Sequence, residues 1–136
     1  MLRRTLLAAP ALALAACRSS TGDGAARTPQ GPLPVVFFTD DSAAMGPEAR
    51  AVIAEAAERA RARPGASVAV RGFTAPDGVA SPGFSRSLAE ARARNGADAL
   101  VAGGVARDRI RIQPRGNVPF EMMPVESRRV EIHLGG

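Results

Sequence analysis

The chain has 136 residues, a formal net charge of +5 at pH 7 and a single cysteine, Cys17. This length corresponds to about one small domain, and one cysteine leaves no disulfide to form within the chain. Five Phe residues without Trp or Tyr supply few platforms for stacking sugars or nucleic-acid bases, which argues against recognition by aromatic stacking.

The first 16 residues have the pattern of an export signal, with Arg3 and Arg4 ahead of a short apolar stretch. Residues 5–16 are too few to span a bilayer as a helix. The stretch ends in Leu14-Ala15-Ala16-Cys17, the pattern at which a bacterial lipoprotein signal peptide is cut and the cysteine receives its lipid. We therefore expect residues 1–16 to be removed and Cys17 to carry a lipid anchor. The alternative is a secretory signal with a chance cysteine.

Export also bears on the partners suggested by charge. The 18 basic residues against 13 acidic ones would ordinarily raise nucleic acid as a partner. An exported domain does not meet cytoplasmic nucleic acid. Loss of Arg3 and Arg4 with the signal lowers the formal charge from +5 to +3. We therefore expect no nucleic-acid partner.

A linker follows the cysteine. Residues 18–34 are rich in Gly, Pro, Ser and Thr and show no apolar periodicity. Such a segment cannot bury enough apolar surface to offset the entropy lost on ordering. We interpret residues 17–34 as a lipidated N-terminus and flexible tether, and residues 35–136 as the folded domain. An ordinary unstructured N-terminus is the alternative, and both place the segment outside the fold.

The domain begins with an apolar run from Val35 to Phe38 that predicts a strand. Pro47 and Glu48 favour a helix start; apolar residues then recur at helical spacing until Pro64-Gly65 ends the pattern. The rest predicts a strand over 67–73, a helix over 85–102 and strands over 109–113 and 128–134. The order β-α-β-α-β-β predicts an α/β (α+β) fold, a two-layer sandwich with helices packed on one face of a mixed sheet.

Several motifs, in their order and spacing, resemble the OmpA-like C-terminal domain shared with Pal and MotB. They are Gly72-Phe73-Thr74 with Gly78, Leu88 with Arg92-Ala93 and Leu100, Gly104-Val105 with Arg109-Ile110, and Ser127-Arg128-Arg129-Val130-Glu131. The resemblance covers residues 35–134. It implies an OmpA-like fold that binds peptidoglycan non-covalently, through the diaminopimelate of the stem peptide, and tethers the membrane to the cell wall.

The resemblance also implies a location. Lipoproteins retained in the inner membrane commonly carry Asp after the lipidated cysteine, whereas this chain has Arg18. We therefore expect an outer-membrane lipoprotein with its domain in the periplasm. Other envelope proteins are further possible partners.

The resemblance assigns the peptidoglycan site to five residues: Arg92, Asp77, Asp40, Thr74 and Ser85. Diaminopimelate ends in a carboxylate and an ammonium, which match a guanidinium and a carboxylate in the protein. Arg92 occupies the family's arginine position. The family acid is replaced by Ala75, so Asp77 in the following loop and Asp40 after the first strand are the candidates for the ammonium.

Each charged candidate also has a structural interpretation. Arg92 can be a solvated helix arginine or pair with Asp77 or Glu90. Asp77 precedes a glycine and suits a turn, and Asp40 can cap the turn into the first helix.

Other conspicuous residues favour structural roles. We expect one of Arg128 and Arg129 to pair inside the fold and the other to be exposed. His133 has no second histidine near it, so we expect no metal site there. The segment 120–124, which contains Met122, favours core packing over a contact patch for a protein partner.

Three classes of function follow. A peptidoglycan-binding module predicts that Arg92 meets Asp77 or Asp40 in one pocket. A degenerate OmpA-like lipoprotein, acting as a protein-interaction or envelope-assembly factor, predicts that Arg92 is satisfied within the fold. An enzyme would need a nucleophile with a base, a carboxylate pair or a metal set, and the sequence suggests none. We expect no enzymatic activity and no cofactor.

Overall fold

The computed structural model describes residues 31–39, 41–76, 82–119, 122 and 124–135. The predicted element order is confirmed: β1 (Val35–Phe37), α1 (Pro47–Arg61), β2 (Val68–Thr74), α2 (Pro82–Ala102), β3 (Ile110–Asn117) and β4 (Arg129–Leu134). Short 3-10 helices at Arg107–Arg109 and Pro124–Ser127 were not predicted. The predicted signal peptide, Cys17 and the tether up to residue 30 lie outside the described residues.

Residues just before the predicted domain boundary at residue 35 already contact the folded domain. The carbonyl of Pro32 accepts a hydrogen bond from Arg59 Nη1 at 2.9 Å, and the carbonyl of Pro34 accepts one from the Ile132 amide at 3.0 Å. In the part of the chain that the structure describes, no helix is both long enough and apolar enough to cross a membrane.

The four strands form one mixed sheet in the order β1-β4-β2-β3. β4 runs antiparallel to both β1 and β2, whereas β2 and β3 are parallel. The register pairs Val36 with Val130 and Val70 with Ile132. All four are buried, so alternate positions of the strands give the sheet a continuous apolar face.

Both helices pack on this inner face, as predicted. α1 buries Ile53 and several alanines, and α2 buries Leu100 between small residues. Small side chains let the helices approach closely. A Cβ at Gly72 would lie only 2.0 Å from the carbonyl oxygen of Ala89, so β2 and α2 pack backbone against backbone at this point.

The other face of the sheet carries the alternate residues of the strands. Phe73 lies there, and the Arg129 guanidinium stacks 4.5 Å from its ring centroid. Met122 is 84% exposed, so the predicted core packing is wrong for this residue. Residues 120, 121 and 123 lie outside the described part.

Candidate functional site

Arg92, the centre of the predicted ligand site, lies inside the fold with 1% of its surface exposed. Its Nε donates to the carbonyl of Ser42 at 2.9 Å, Nη1 to that of Phe73 at 3.1 Å and Nη2 to that of Thr39 at 3.1 Å. The guanidinium also lies 5.2 Å from the ring centroid of Phe38. Arg92 therefore joins α2 to the end of β2 and to the chain beyond β1.

Neighbouring polar contacts hold the same loop. Asn95, one turn further along α2, donates from Nδ2 to the carbonyl of Ala43 at 2.8 Å. The Ala44 amide donates to Ser42 Oγ at 3.0 Å. With Arg92, these contacts fix the path between β1 and α1 at several carbonyls, so the loop is held by side chains from the helix layer.

The other predicted site residues have different outcomes. Thr74 is 3% exposed, and its hydroxyl donates to Asn117 Oδ1 at 2.6 Å. Ser85 near the start of α2 is also 3% exposed, as is Ala75 at the family's acid position. Asp40 and Asp77 lie outside the described residues, so their predicted roles stay predictions.

An open cleft of about 690 Å³ lies beside the loop that Arg92 holds. This volume is in the usual range for a small-ligand pocket. Thr39 and Ser42, whose carbonyls accept from Arg92, belong to its wall. Its lining residues are Phe37, Phe38, Thr39, Asp41, Ser42, Val125 and Arg128. Arg92 is not itself a lining residue, and it contacts the wall of the cleft from the interior of the protein.

Two residues of opposite charge line the cleft, Asp41 and Arg128. Arg128 is placed there by the sheet, because its carbonyl accepts from the Phe38 amide at 2.8 Å and its amide donates to the Val125 carbonyl at 3.0 Å. Asp41 is exposed and follows β1. Both charge signs that a zwitterionic ligand requires are therefore represented in the lining.

Asp41 was missed as a site residue, and Arg128 was assigned only a structural role. The available signal was the adjacent pair Asp40-Asp41, from which the family pattern selected only the first. Arg129 does take the predicted paired role. Its Nε donates to Glu131 Oε1 at 2.7 Å and its Nη1 to the Glu126 carbonyl at 2.6 Å.

Glu131, a described residue of β4, has a lowered pKa with a clear structural cause. Burial by itself would raise its pKa, but the hydrogen bonds with His133 and Arg129 outweigh burial and lower the pKa below 4.5. His133 Nε2 lies 2.9 Å from Glu131 Oε2. These side chains are on the sheet face away from the helices.

No three His, Cys, Asp or Glu side chains among the described residues are grouped so that they could hold a metal ion.

Comparison with protein families gives a match that spans most of the domain. The model of the OmpA family matches residues 37–127. A sequence search of curated proteins found no significant match.

Solved structures show the same fold at low sequence identity. The peptidoglycan-associated lipoprotein of Burkholderia pseudomallei is 19% identical with a TM-score of 0.68, over 74% of this chain and 89% of that chain. The C-terminal domain of Helicobacter pylori MotB is 23% identical with a TM-score of 0.69, over 78% and 87%. The OmpA-like domain of FopA1 from Francisella tularensis is 20% identical with a TM-score of 0.65, over 74% and 70%.

Proposed function

The chain belongs to the OmpA family, and from that premise we propose that its domain binds peptidoglycan non-covalently. In this proposal the domain holds the diaminopimelate side chain of the stem peptide. The similar fold of a protein named peptidoglycan-associated lipoprotein supports this. The observation that carries the proposal is the open cleft lined by Asp41 and Arg128 beside the buried Arg92.

The charges of the cleft suit the two ends of diaminopimelate. The Arg128 guanidinium takes the carboxylate through paired hydrogen bonds, which a planar fork forms better than a point charge. Asp41 takes the ammonium, in place of the acid that the family has where this chain has the buried Ala75. Phe37 and Val125 supply an apolar wall for the aliphatic stem between the charges.

Arg92 acts in this proposal as a positioning residue. It holds the carbonyls of Thr39 and Ser42, so it fixes the loop that presents Asp41. A rigid wall lowers the entropy lost when the ligand binds. Arg92 is thus needed for wall binding through the shape of the cleft.

The first test is co-sedimentation of the full chain with insoluble diaminopimelate-type peptidoglycan, competed by free diaminopimelate. Removal of one charge-assisted contact by Arg128→Gln or Asp41→Asn should weaken binding roughly 10- to 100-fold. Arg128→Lys should fall between Arg128→Gln and the parent. Arg94→Gln, which changes an arginine with a 61% exposed side chain on α2, is the matched control and should bind like the parent.

Thermal unfolding of each variant separates loss of binding from loss of fold. Binding that free diaminopimelate displaces, and that Arg128→Gln weakens in a folded protein, supports the proposal. Wall binding that survives both cleft substitutions would overturn the assignment of the cleft. Failure of the folded parent to bind would overturn peptidoglycan binding itself.

A second candidate is a degenerate family member that acts as a protein-interaction or envelope-assembly factor. It is favoured by two observations. Arg92 donates to carbonyls of its own chain, and Ala75 puts a buried methyl group at the family's acid position. A folded chain that fails to sediment with peptidoglycan would select this function.

We further propose that Cys17 carries a lipid that anchors the chain in the outer membrane, so that the domain tethers that membrane to the wall. Cys17→Ser should release the chain from the membrane fraction, and mass spectrometry of the parent should show an acylated cysteine. The domain acts as a binding module without cofactor and without enzymatic activity. Unchanged peptidoglycan chains after prolonged incubation with the domain would agree with that.

A further inference from the structure

We propose that the outer face of the sheet, the face away from α1 and α2, docks an acidic segment of a protein partner through Arg71 and Arg111. We call this the outer sheet face. Its residues are the outward alternate positions of the four strands and the residue that leads into β1. They are Leu33 before β1, Val35 and Phe37 of β1, Ala69, Arg71 and Phe73 of β2, Arg111 and Gln113 of β3, and Arg129, Glu131 and His133 of β4.

The strand register arranges these side chains in rows. Val35, Glu131, Arg71 and Gln113 form one row across all four strands. The next row contains His133, Ala69 and Arg111. Arg71 and Arg111 are therefore diagonal neighbours on adjacent strands, within reach of one another's long side chains.

The outer sheet face has more basic side chains than acidic ones. Glu131 is the only carboxylate among the residues that make up the outer sheet face, and both of its oxygens are engaged, one by Arg129 and one by His133. Arg71 donates from Nε to Gln113 Oε1 at 3.1 Å and forms no ion pair within the described chain. Arg111 is exposed, and its side chain has neither a hydrogen bond nor an ion pair within the described residues.

Two adjacent arginines without a carboxylate repel one another in the free protein. Because Nε of Arg71 is held by Gln113, its guanidinium is oriented while its Nη groups remain available to an acid. A carboxylate set between Arg71 and Arg111 removes the repulsion and forms charge-assisted hydrogen bonds with both. Charge complementarity therefore points to a partner that supplies acidic side chains here.

The β1 side of the same face is apolar. Phe37 is 56% exposed and Leu33 is 44% exposed. β4 lies between β1 and β2, and Phe37 is two residues along β1 from Val35, which shares a row with Arg71. Phe37 and Arg71 are therefore about 12 Å apart at the usual strand spacing and rise. An extended chain covers this distance in about three residues. The segment that fits has one apolar residue and, three or four positions later, a pair of acids.

The test uses the full chain and a fluorescent synthetic peptide in which leucine is followed after two serines by two glutamates. Fluorescence anisotropy measures its binding, and a peptide with glutamines in place of the glutamates is the ligand control. We expect saturable binding that weakens as NaCl is raised. Arg111→Gln and Arg71→Gln should each weaken it roughly 5- to 10-fold, as expected for one charge-assisted contact.

Arg61→Gln is the matched protein control, because Arg61 is exposed at the end of α1 and the substitution removes the same charge. It should change the affinity less than about twofold through long-range screening. Amide chemical shifts on peptide addition should move in β1, β2 and β3 and leave the cleft residues Asp41 and Ser42 unchanged.

Several results would overturn the proposal. They are no saturable binding, equal losses for Arg61→Gln and Arg111→Gln, or shifts confined to the cleft. Binding of anionic phospholipid vesicles that requires Arg111, without binding of the peptide, would assign the face to a membrane and reject the acidic protein segment. Because Arg111 is exposed, Arg111→Gln should remain folded. Phe37 belongs to both surfaces, but Arg71 and Arg111 do not line the cleft, so their substitution should leave binding of peptidoglycan unchanged.

Discussion

The guanidinium of Arg92 donates to the carbonyl of Thr39 at 3.1 Å and thereby ties the middle of α2 to the chain just beyond β1. Two further carbonyls, of Ser42 and Phe73, accept from the same group. The arginine that the family pattern assigns to the ligand thus organises the loop of the candidate cleft. Its substitution should affect folding as well as binding.

Arg92→Ala should lower the free energy of unfolding by roughly 2–4 kcal/mol, since it removes three charge-assisted hydrogen bonds and leaves the buried Phe73 carbonyl without this donor. Urea denaturation measures the change. Arg92→Lys should recover less than half of the loss, because one ammonium cannot reach three separated carbonyls as a planar fork does. A stability within about 0.5 kcal/mol of the parent would contradict the internal role of Arg92.

Gly72→Ala should destabilise the fold by roughly 2–4 kcal/mol, because the added methyl group would lie 2.0 Å from the Ala89 carbonyl oxygen and force α2 away from β2. Chemical denaturation gives the difference. Gly65→Ala is the control, since nothing lies within 4 Å of a Cβ at that position, and it should stay within about 0.5 kcal/mol of the parent. Equal stability of the two variants would show that the close approach has no energetic weight.

Arg109→Met should destabilise the end of α1 by roughly 1–3 kcal/mol. Arg109 Nη2 donates to the carbonyls of Ala60 and Arg63 at 2.8 Å each and of Ala66 at 2.9 Å. The Ala60 and Arg63 carbonyls each accept one backbone amide as well, so the substitution removes a second, charge-assisted donor from the carbonyls at and just beyond the helix C-terminus. Faster amide hydrogen exchange in the last turn of α1 should accompany the loss. Arg111→Gln, two residues away and exposed, should change stability by less than about 0.5 kcal/mol.

Glu131→Gln should give a pH-dependent loss of stability. The pKa of Glu131 is lowered in the fold from 4.5, so ionised Glu131 stabilises the folded state above pH 4.5. That contribution disappears as the pH falls through the lowered pKa. The difference in unfolding free energy between parent and variant, about 1 kcal/mol or less for a partly exposed pair, should therefore be largest above pH 5.

Unfolding curves between pH 3 and pH 7 measure the effect of Glu131→Gln. A difference that grows as the pH falls would mean that the carboxyl is stabilised in its neutral form, contrary to its hydrogen bonds with Arg129 and His133.

The local elements of the fold could be predicted from the sequence. Alternating Val68 and Val70 fall on one buried face of β2, and Pro47 starts α1 where its fixed φ angle suits a first helical turn. These features depend on neighbours a few residues apart, so composition and periodicity report them. The resemblance to the OmpA family, which the family match confirms, also depends on short motifs in a fixed order.

The candidate site could be predicted only in part. Arg92 stands out by its motif, yet its burial and its three carbonyl partners depend on how closely α2 approaches β2 at Gly72. Asp41 and Arg128 belong to opposite ends of the domain sequence. They meet in one cleft because β1 pairs with β4.

The sequence by itself therefore determined the order of the elements, the family and the identity of the central arginine. Only the tertiary structure decided which charges line the cleft and which arginines of the outer sheet face lack an acid. The physical reason is that strand register and helix approach bring together residues distant in the chain. A local pattern specifies which side of its own element a residue occupies, but it contains no information about the partner on the next element.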